Sequence, residues 1–339
     1  MYIAAHALAE NHQVLVAYRR DIVGKRFRVR KYKLPFANEA DGYTIFRLMY
    51  LIVRYRIHIL IPTKPKEYFI SGMLAKLFRR VNIVRLGIVR DLNDSHIKKF
   101  VYHTLTDGII VNAASIRDHL LQSSFMRPEK IRVIYNGVNT AEIDALAEAS
   151  VPIKLNQPFL ITAMGKLTNR KAFDIVLRGF AEFVNQSKIN NAGLIIIGAG
   201  EKSGALQKLA EDAGVTNYVH FTGFIENPYP YLKVSQVFIS ASKNEGLANA
   251  LLEAMYLNNA VITTRAGGSE YAVEHGQNGF LLNDEPVSEI ASHLTKLYQD
   301  QLLTSRMAKR SYQIIMEKFS MERMKEQMEV YFNEVLQVR

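Results

Sequence analysis

Short runs rich in Val, Ile and Leu alternate with longer helical patterns along nearly the whole chain. Strands that lie parallel must be joined by crossovers of a dozen or more residues, normally helices, so this alternation predicts parallel sheets with helices on their faces. In the first half the expected strands are 13–17, 57–61, 81–86, 108–111 and 131–134, with helices over 67–79 and 115–123. In the second half they are 159–164, 193–197, 219–221, 237–240, 260–263 and 280–282. The expected helices there are 172–186, 203–213, 249–256 and 289–298. The fold class is therefore α/β.

A chain of 339 residues exceeds the size at which one hydrophobic core keeps growing, so two domains are expected. Segment 136–158 shows no clear strand and carries Pro152 and Pro158, which places the connection there, with domains over 1–140 and 141–319. The last segment, 321–336, puts Met324, Met328, Tyr331 and Phe332 on one helical stripe. This helix, within 320–339, is expected to return and pack on the first domain.

The absence of cysteine excludes disulfides, thiolate nucleophiles and cysteine-ligated zinc, and allows a reducing compartment. Cytoplasm is the expected location. The most hydrophobic stretch, 46–61, is interrupted by Arg47, Arg54 and Arg56, too short and too charged to span a bilayer, and reads as a buried helix–strand pair. The net charge of +11 is uneven: residues 1–135 hold 24 Lys+Arg against 10 Asp+Glu, and residues 136–339 hold 19 against 22. A basic first half points to an anionic partner, including peripheral contact with the inner face of the cytoplasmic membrane. No aromatic-studded basic sheet motif or recognition helix accompanies the charge, so nucleic acid is not an expected partner.

Three loops carry the chemistry. Asn244-Glu245-Gly246-Leu247-Ala248-Asn249 joins a strand to a helix, where backbone N–H groups at the positive helix end suit an anion. Glu253 lies one turn past Asn249, placed to accept hydrogen bonds from ligand hydroxyls such as those of a ribose. Gly165-Lys166-Leu167-Thr168-Asn169-Arg170-Lys171 follows the first strand of the second domain, and Lys166 and Lys171 could clamp a diphosphate. In Ala266-Gly267-Gly268-Ser269-Glu270 two adjacent glycines let backbone approach a ligand closely.

This ordered set resembles the retaining glycosyltransferases of family 4, also called glycosyl transferase group 1, from about Ala7 onward. The matching residues are Gly165, Lys166 and Leu167 with Lys171 and Asp174, then the E-x7-E pair Glu245 and Glu253, then Gly267-Gly268-Ser269-Glu270. The resemblance implies the GT-B fold, two Rossmann-like domains facing a cleft. It implies that Glu245 contacts the donor sugar, Glu253 the nucleotide ribose, and Lys166 with Lys171 the diphosphate. Gly165, the backbone of Gly246, Leu247, Ala248 and Asn249, and Gly267 with Gly268 would complete the donor site. Glu245, Lys166 and Lys171 are the expected catalytic group.

Departures accompany the match. Lys166 stands where arginine is common, Ala172 where glycine is usual, Glu270 comes one residue early, and segment 86–91 lacks a histidine. Residues 6–12 resemble the family's first helix, so the first domain is expected to lack its first strand, and the natural start to lie upstream or the protein to be a truncated form.

The nine histidines show no metal-ligand spacing and no Asp-x-Asp occurs, so neither a metal nor another cofactor is expected. Gly198, Gly200 and Gly204 are spaced wrongly for a dinucleotide fingerprint and read as a structural turn. The expected reaction moves a sugar, with retention, from a nucleotide diphosphate-sugar to a cell-envelope saccharide, as in lipopolysaccharide biosynthesis, or to a lipid-linked acceptor. The alternatives are a non-catalytic donor-binding partner of an active transferase and a sugar-nucleotide epimerase.

Overall fold

The computed structural model describes residues 2–88, 95–151, 157–243, 245–283 and 286–338. Asn244 and positions 89–91 and 152, named above, lie outside the described residues. The chain forms two compact units, one from Met1–Gly137 with Met321–Arg339, the other from Val138–Ser320.

The first unit runs α1 (Tyr2–Leu8), β1 (Leu15–Tyr18), α2 (Asp21–Arg26), β2 (Arg30–Lys33), α3 (Gly42–Arg54), β3 (Ile59–Leu60), α4 (Pro65–Leu77) and β4 (Val81–Leu86). It continues with α5 (His96–Lys99), β5 (Gly108–Val111), α6 (Ala114–Leu120) and β6 (Ile131–Val133), and takes α15 (Met321–Gln337) from the end of the chain. Strands β3-β4-β5-β6 form a parallel sheet and β1-β2 a parallel pair. Every residue of β4 and β5 is buried, which is why β5 reads as an unbroken apolar run and β4 as a largely apolar one instead of alternating. The polar exceptions on β4 are bonded: Asn82 Nδ2 donates to the Leu105 carbonyl at 2.8 Å, and Arg85 Nη2 to Asn136 Oδ1 at 2.8 Å.

Helix α15 lies on this sheet. Met324, Met328, Tyr331 and Phe332 share a core with Ala4, Ala7 and Leu8 of α1 and with Val81, Ile83 and Ile110. The Tyr331 hydroxyl donates to the Lys130 carbonyl at 2.6 Å and accepts from the Ile109 N–H at 3.1 Å.

Two elements differ from expectation. Strand β2 reads Arg-Lys-Tyr-Lys, with no apolar pattern; register with β1, Leu15 opposite Arg30, makes it a strand. Within 46–61, the expected buried helix–strand pair is only half right. Helix α3 begins earlier, at Gly42, because Asp41 caps it, accepting from the Thr44 N–H at 3.0 Å. It buries Thr44, Leu51 and Ile52, while Phe46, Tyr50 and Val53 stay exposed.

The second unit begins with α7 (Thr140–Ala147), within the segment expected to be only a connection. Asn139 caps it, its Oδ1 accepting from the Glu142 N–H at 3.2 Å. Then come β7 (Phe159–Met164), α8 (Phe173–Ser187), β8 (Ala192–Ile197), α9 (Ser203–Asp212), β9 (Val219–Gly223), α10 (Tyr229–Val234) and β10 (Val237–Ser240). The remainder is α11 (Asn249–Tyr256), β11 (Ala260–Thr264), α12 (Ser269–Ala272), β12 (Gly279–Leu282), α13 (Pro286–Gln299) and α14 (Gln301–Lys318). The six strands are parallel in the order β12-β11-β10-β7-β8-β9. The first strand of the unit therefore sits between the second and the fourth, the doubly wound Rossmann order. Phe180 and Phe183 of α8 are fully buried over the sheet. Among the described residues no helix is long and apolar enough to cross a membrane.

Candidate functional site

In a doubly wound sheet the connections leave β7 and β10 toward opposite faces, which opens a crevice outside the carboxyl ends of those two strands. The loops after β7 and β10 meet there. The Lys243 N–H donates to the Arg170 carbonyl at 2.9 Å, and Lys171 Nζ lies 2.6 and 2.7 Å from the two Glu245 carboxylate oxygens. Arg170 Nη1 adds a third contact, 3.2 Å from Oε1.

The Lys171 and Glu245 side chains are only 13 % and 17 % exposed, so this ion pair is shielded from water and salt. Burial pushes the Glu245 pKa up, but Lys171 and then Arg170 outweigh it, and the net direction is down. Glu245 is therefore held ionised.

The β7 loop keeps its path through close backbone contact. Gly165 donates its N–H to the Ile197 carbonyl at 2.9 Å, and Leu167 to the Ala199 carbonyl at 3.1 Å. A Cβ on Gly198, whose φ is +140°, would stand 1.9 Å from the Gly165 carbonyl oxygen, so this glycine serves loop packing. Lys166, on the same loop, is exposed, with no ion pair among the described residues. Ala172 adopts φ +48°, the left-handed region, fully buried ahead of α8, so the backbone here has a glycine's conformation without a glycine. Asp174 is exposed in the first turn of α8.

The third loop closes on the second. A Cβ on Gly267, φ +66°, would stand 1.8 Å from the Glu245 carbonyl oxygen, and the Gly268 N–H donates to the Gly246 carbonyl at 3.0 Å. Glu245, Gly246 and Ala248 line a small cavity with Ser240, Ser242, Thr264 and Ala266. Leu247 is buried beneath the turn, and Ala248, at the N-cap position, precedes Asn249, the first residue of α11. Glu270 pairs with Arg265 at 2.6 Å and is half-exposed.

Glu253, on α11, is partly accessible as a whole residue, yet its carboxyl is enclosed. Burial first, and then the negative charge of Glu142 on α7, pushes its pKa up to about 7. The two acids of one motif are thus tuned in opposite directions.

The structure brings Lys171, Glu245, Gly246, Ala248 and Gly267 with Gly268 into contact at one strand edge, with Gly165 on the loop that carries Lys171. Lys166 is not drawn into the ion-pair cluster. Sequence reasoning missed Arg170 as a partner of Glu245 and Glu142 as a neighbour of Glu253. Arg170 was signalled by its place beside Lys171; Glu142, more than a hundred positions away, left no local signal. Among the described residues no cluster of His, Asp and Glu could hold a metal ion.

A Rossmann unit with a shielded lysine–glutamate pair beside a helix start at its switch point has the architecture of the α/β nucleotide-binding folds. Residues 1–142 match the family model for "Glycosyltransferase Family 4" and residues 158–300 that for "Glycosyl transferases group 1". The chain belongs to this family of group 1, family 4 glycosyltransferases.

It is similar to the lipopolysaccharide core biosynthesis glycosyltransferase LpsE of Rhizobium meliloti, 28 % identical over 65 % of this chain. That match spans 62 % of LpsE, and another, to an uncharacterized glycosyltransferase of Methanocaldococcus jannaschii, spans 58 % of the relative. The capsular polysaccharide biosynthesis glycosyltransferase CapM of Staphylococcus aureus is 24 % identical over 98 % of this chain and 90 % of its own length. Among solved structures, a glycosyltransferase from Rickettsia africae superposes with TM-score 0.82 at 16 % identity, covering 99 % of this chain and 93 % of its own. HepE of Anabaena, in complex with UDP, superposes with TM-score 0.82 at 17 % identity over 98 % and 96 %. These likenesses show the fold, that of the GT-B glycosyltransferases with two Rossmann-like domains.

Proposed function

We propose that this protein is a retaining, metal-independent glycosyltransferase that moves a sugar from a nucleotide diphosphate-sugar to a cell-envelope saccharide or lipid-linked acceptor. The observation that carries the reading is the Lys171–Glu245 pair at the β7–β10 switch point, on the loops where a doubly wound sheet binds nucleotides. The second unit holds the donor and the basic first unit serves the acceptor. The relatives named for lipopolysaccharide and capsule synthesis support the acceptor class, and HepE's complex with UDP-glucose makes a uridine donor the first to try.

In this reading the bond between the anomeric carbon and the diphosphate breaks, and the charge gathering on the leaving phosphate is met by Lys171, Lys166 and the start of α11. The acceptor hydroxyl attacks from the same face and passes its proton to the departing phosphate. Glu245, fixed by Lys171 and Arg170, orients the sugar hydroxyls without attacking carbon. Glu253 accepts hydrogen bonds from the ribose, with Gly165, Gly267 and Gly268 giving backbone access. These side chains and amides fill the charge-neutralising role that a divalent ion takes in other sites.

The test is calorimetric titration with UDP-, GDP- and ADP-sugars in excess chelator, followed by transfer to a membrane extract and NMR of the product's anomeric configuration. Binding of one nucleotide that weakens in Lys171→Ala, with a retained product, supports the reading. Binding without any turnover favours a non-catalytic donor-binding partner. An inverted product, or activity lost to chelation, refutes the mechanism.

A further inference from the structure

Helix α3 is apolar on two sides. Its inner face buries Thr44, Leu51 and Ile52, the last packed with Ile70 and Leu74 of α4. Its outer face carries Tyr43, Phe46, Tyr50 and Val53, which are 62 %, 69 %, 50 % and 61 % exposed. At about 100° per residue these four fall within one arc of roughly 80°, and Arg47 and Arg54 lie along one flank of it. An exposed apolar stripe of this length, opposite a face already buried in the core, marks a surface that something else covers.

The chemistry of the stripe selects the partner. α3 contains no Asp or Glu. Its two cations stand over rings, Arg47 5.6 Å from the Tyr50 ring centroid and Arg54 5.5 Å from that of Tyr55, and Arg30 of β2 adds a third, 5.1 Å from the Tyr55 ring. None of these three arginines makes an ion pair among the described residues. Tyrosines offer an apolar ring with a polar tip, the composition found where hydrocarbon meets headgroups, and arginine matches phosphate. The excess of 24 Lys+Arg over 10 Asp+Glu in residues 1–135 adds a long-range pull toward an anionic surface.

We propose that the outer face of α3 lies in the headgroup layer of an anionic phospholipid bilayer, with the helix in the membrane plane. Phe46 and Val53 enter the acyl boundary, Tyr43 and Tyr50 sit at the interface, and Arg47 and Arg54 meet lipid phosphates. This surface lies on the first unit and needs neither nucleotide nor turnover, so it stands or falls apart from the transfer reaction.

The chain has no tryptophan, which makes Phe46→Trp a single fluorescent reporter. With vesicles of phosphatidylglycerol in phosphatidylcholine, and no nucleotide, the new indole's emission should shift to the blue and be quenched by brominated lipid. In flotation the bound fraction should fall about fivefold in Arg54→Gln and more in the pair Phe46→Ser with Tyr50→Ser. Leu302→Ser, at a residue 85 % exposed on the second unit, should leave it unchanged. Circular dichroism of each variant checks folding. The proposal is overturned if the protein does not float, or floats with the indole emission unmoved. Equal binding to pure phosphatidylcholine overturns it too, as does sedimentation showing that the Phe46 and Tyr50 substitutions dissociate a dimer instead of releasing vesicles.

Discussion

Glu253→Gln should stabilise the second unit at neutral and alkaline pH while weakening nucleotide binding. The usual carboxyl value of 4.5 is raised to about 7 in the fold, so the folded state holds the proton more tightly than the unfolded chain does. Below pH 4.5 both states are protonated and the acid costs nothing. Between pH 4.5 and 7 the unfolded chain gains stability by ionising first, and above pH 7 the penalty levels off. At about 1.4 kcal/mol per pH unit this reaches about 3 kcal/mol at pH 8, to which Glu142 contributes after burial. Glutamine keeps the shape and cannot ionise. The variant's melting temperature should therefore equal the parent's near pH 4.5 and exceed it by about 6–12 °C at pH 8, for a unit of this size. Paired thermal scans across that range measure the difference, which cancels every other titrating group. A stability gap that stays flat with pH, or that shrinks as pH rises, refutes the account of a carboxyl penalised by its surroundings. The same variant should bind a nucleotide sugar more weakly, because ribose hydroxyls hydrogen-bond best to a full carboxylate.

Other substitutions probe neighbouring parts of the argument. Lys171→Ala leaves the shielded Glu245 with Arg170 alone and should cost about 1–3 kcal/mol at pH 7. Since the Glu245 pKa is lowered, that cost should persist below the usual carboxyl range and fade only as pH drops through the acid's folded value, as urea titrations in steps downward from pH 7 would show. Tyr331→Phe strands the buried Ile109 N–H and should cost the first unit about 1–3 kcal/mol in urea. At Ala172, glycine relieves about 1 kcal/mol of left-handed strain but gives up about 0.8 kcal/mol of methyl burial, so Ala172→Gly should be nearly neutral. Ala172→Val should cost about 2 kcal/mol or more, since a β-branched residue resists φ +48°; thermal scans separate the two.

The strands that carry the site were legible because each is enclosed on both faces: Phe159–Met164 and Val237–Ser240 stand in the sequence as apolar runs, and their bounds match the fold. The loops were legible because glycine marks where backbone crowds backbone, and Gly267 against the Glu245 carbonyl is such a place. Strand β2 was not, since its four residues become a strand only through their partner β1. The outer face of α3 was hidden for a related reason. Arg47 and Arg54 mark only one flank of this helix, its apolar residues occupy the sides to either hand, and only packing against α4 decides that Ile52 goes in and Phe46 out.

The opposite tuning of Glu245 and Glu253 follows from where the fold puts two residues that the sequence treats alike. Glu245 comes before α11, in the loop after β10, and the strand order sets that loop beside the one after β7, which supplies Lys171 and Arg170. Glu253 comes one turn into the helix, where the flanking Leu252 and Ala254 are buried and the charge that acts on it, after burial itself, is that of another acid, Glu142. In the proposed reading, a fixed charge at the first position suits a group that holds a lysine beside the donor's phosphate. A carboxyl kept short of full ionisation at the second suits one whose charge is completed by hydroxyl donors that arrive with the ligand. Burying an acid without a cation works against stability, and such a residue is understandable only if the bound state rewards it. The shared motif therefore encodes two different electrostatic tasks, separated by the doubly wound order of the sheet.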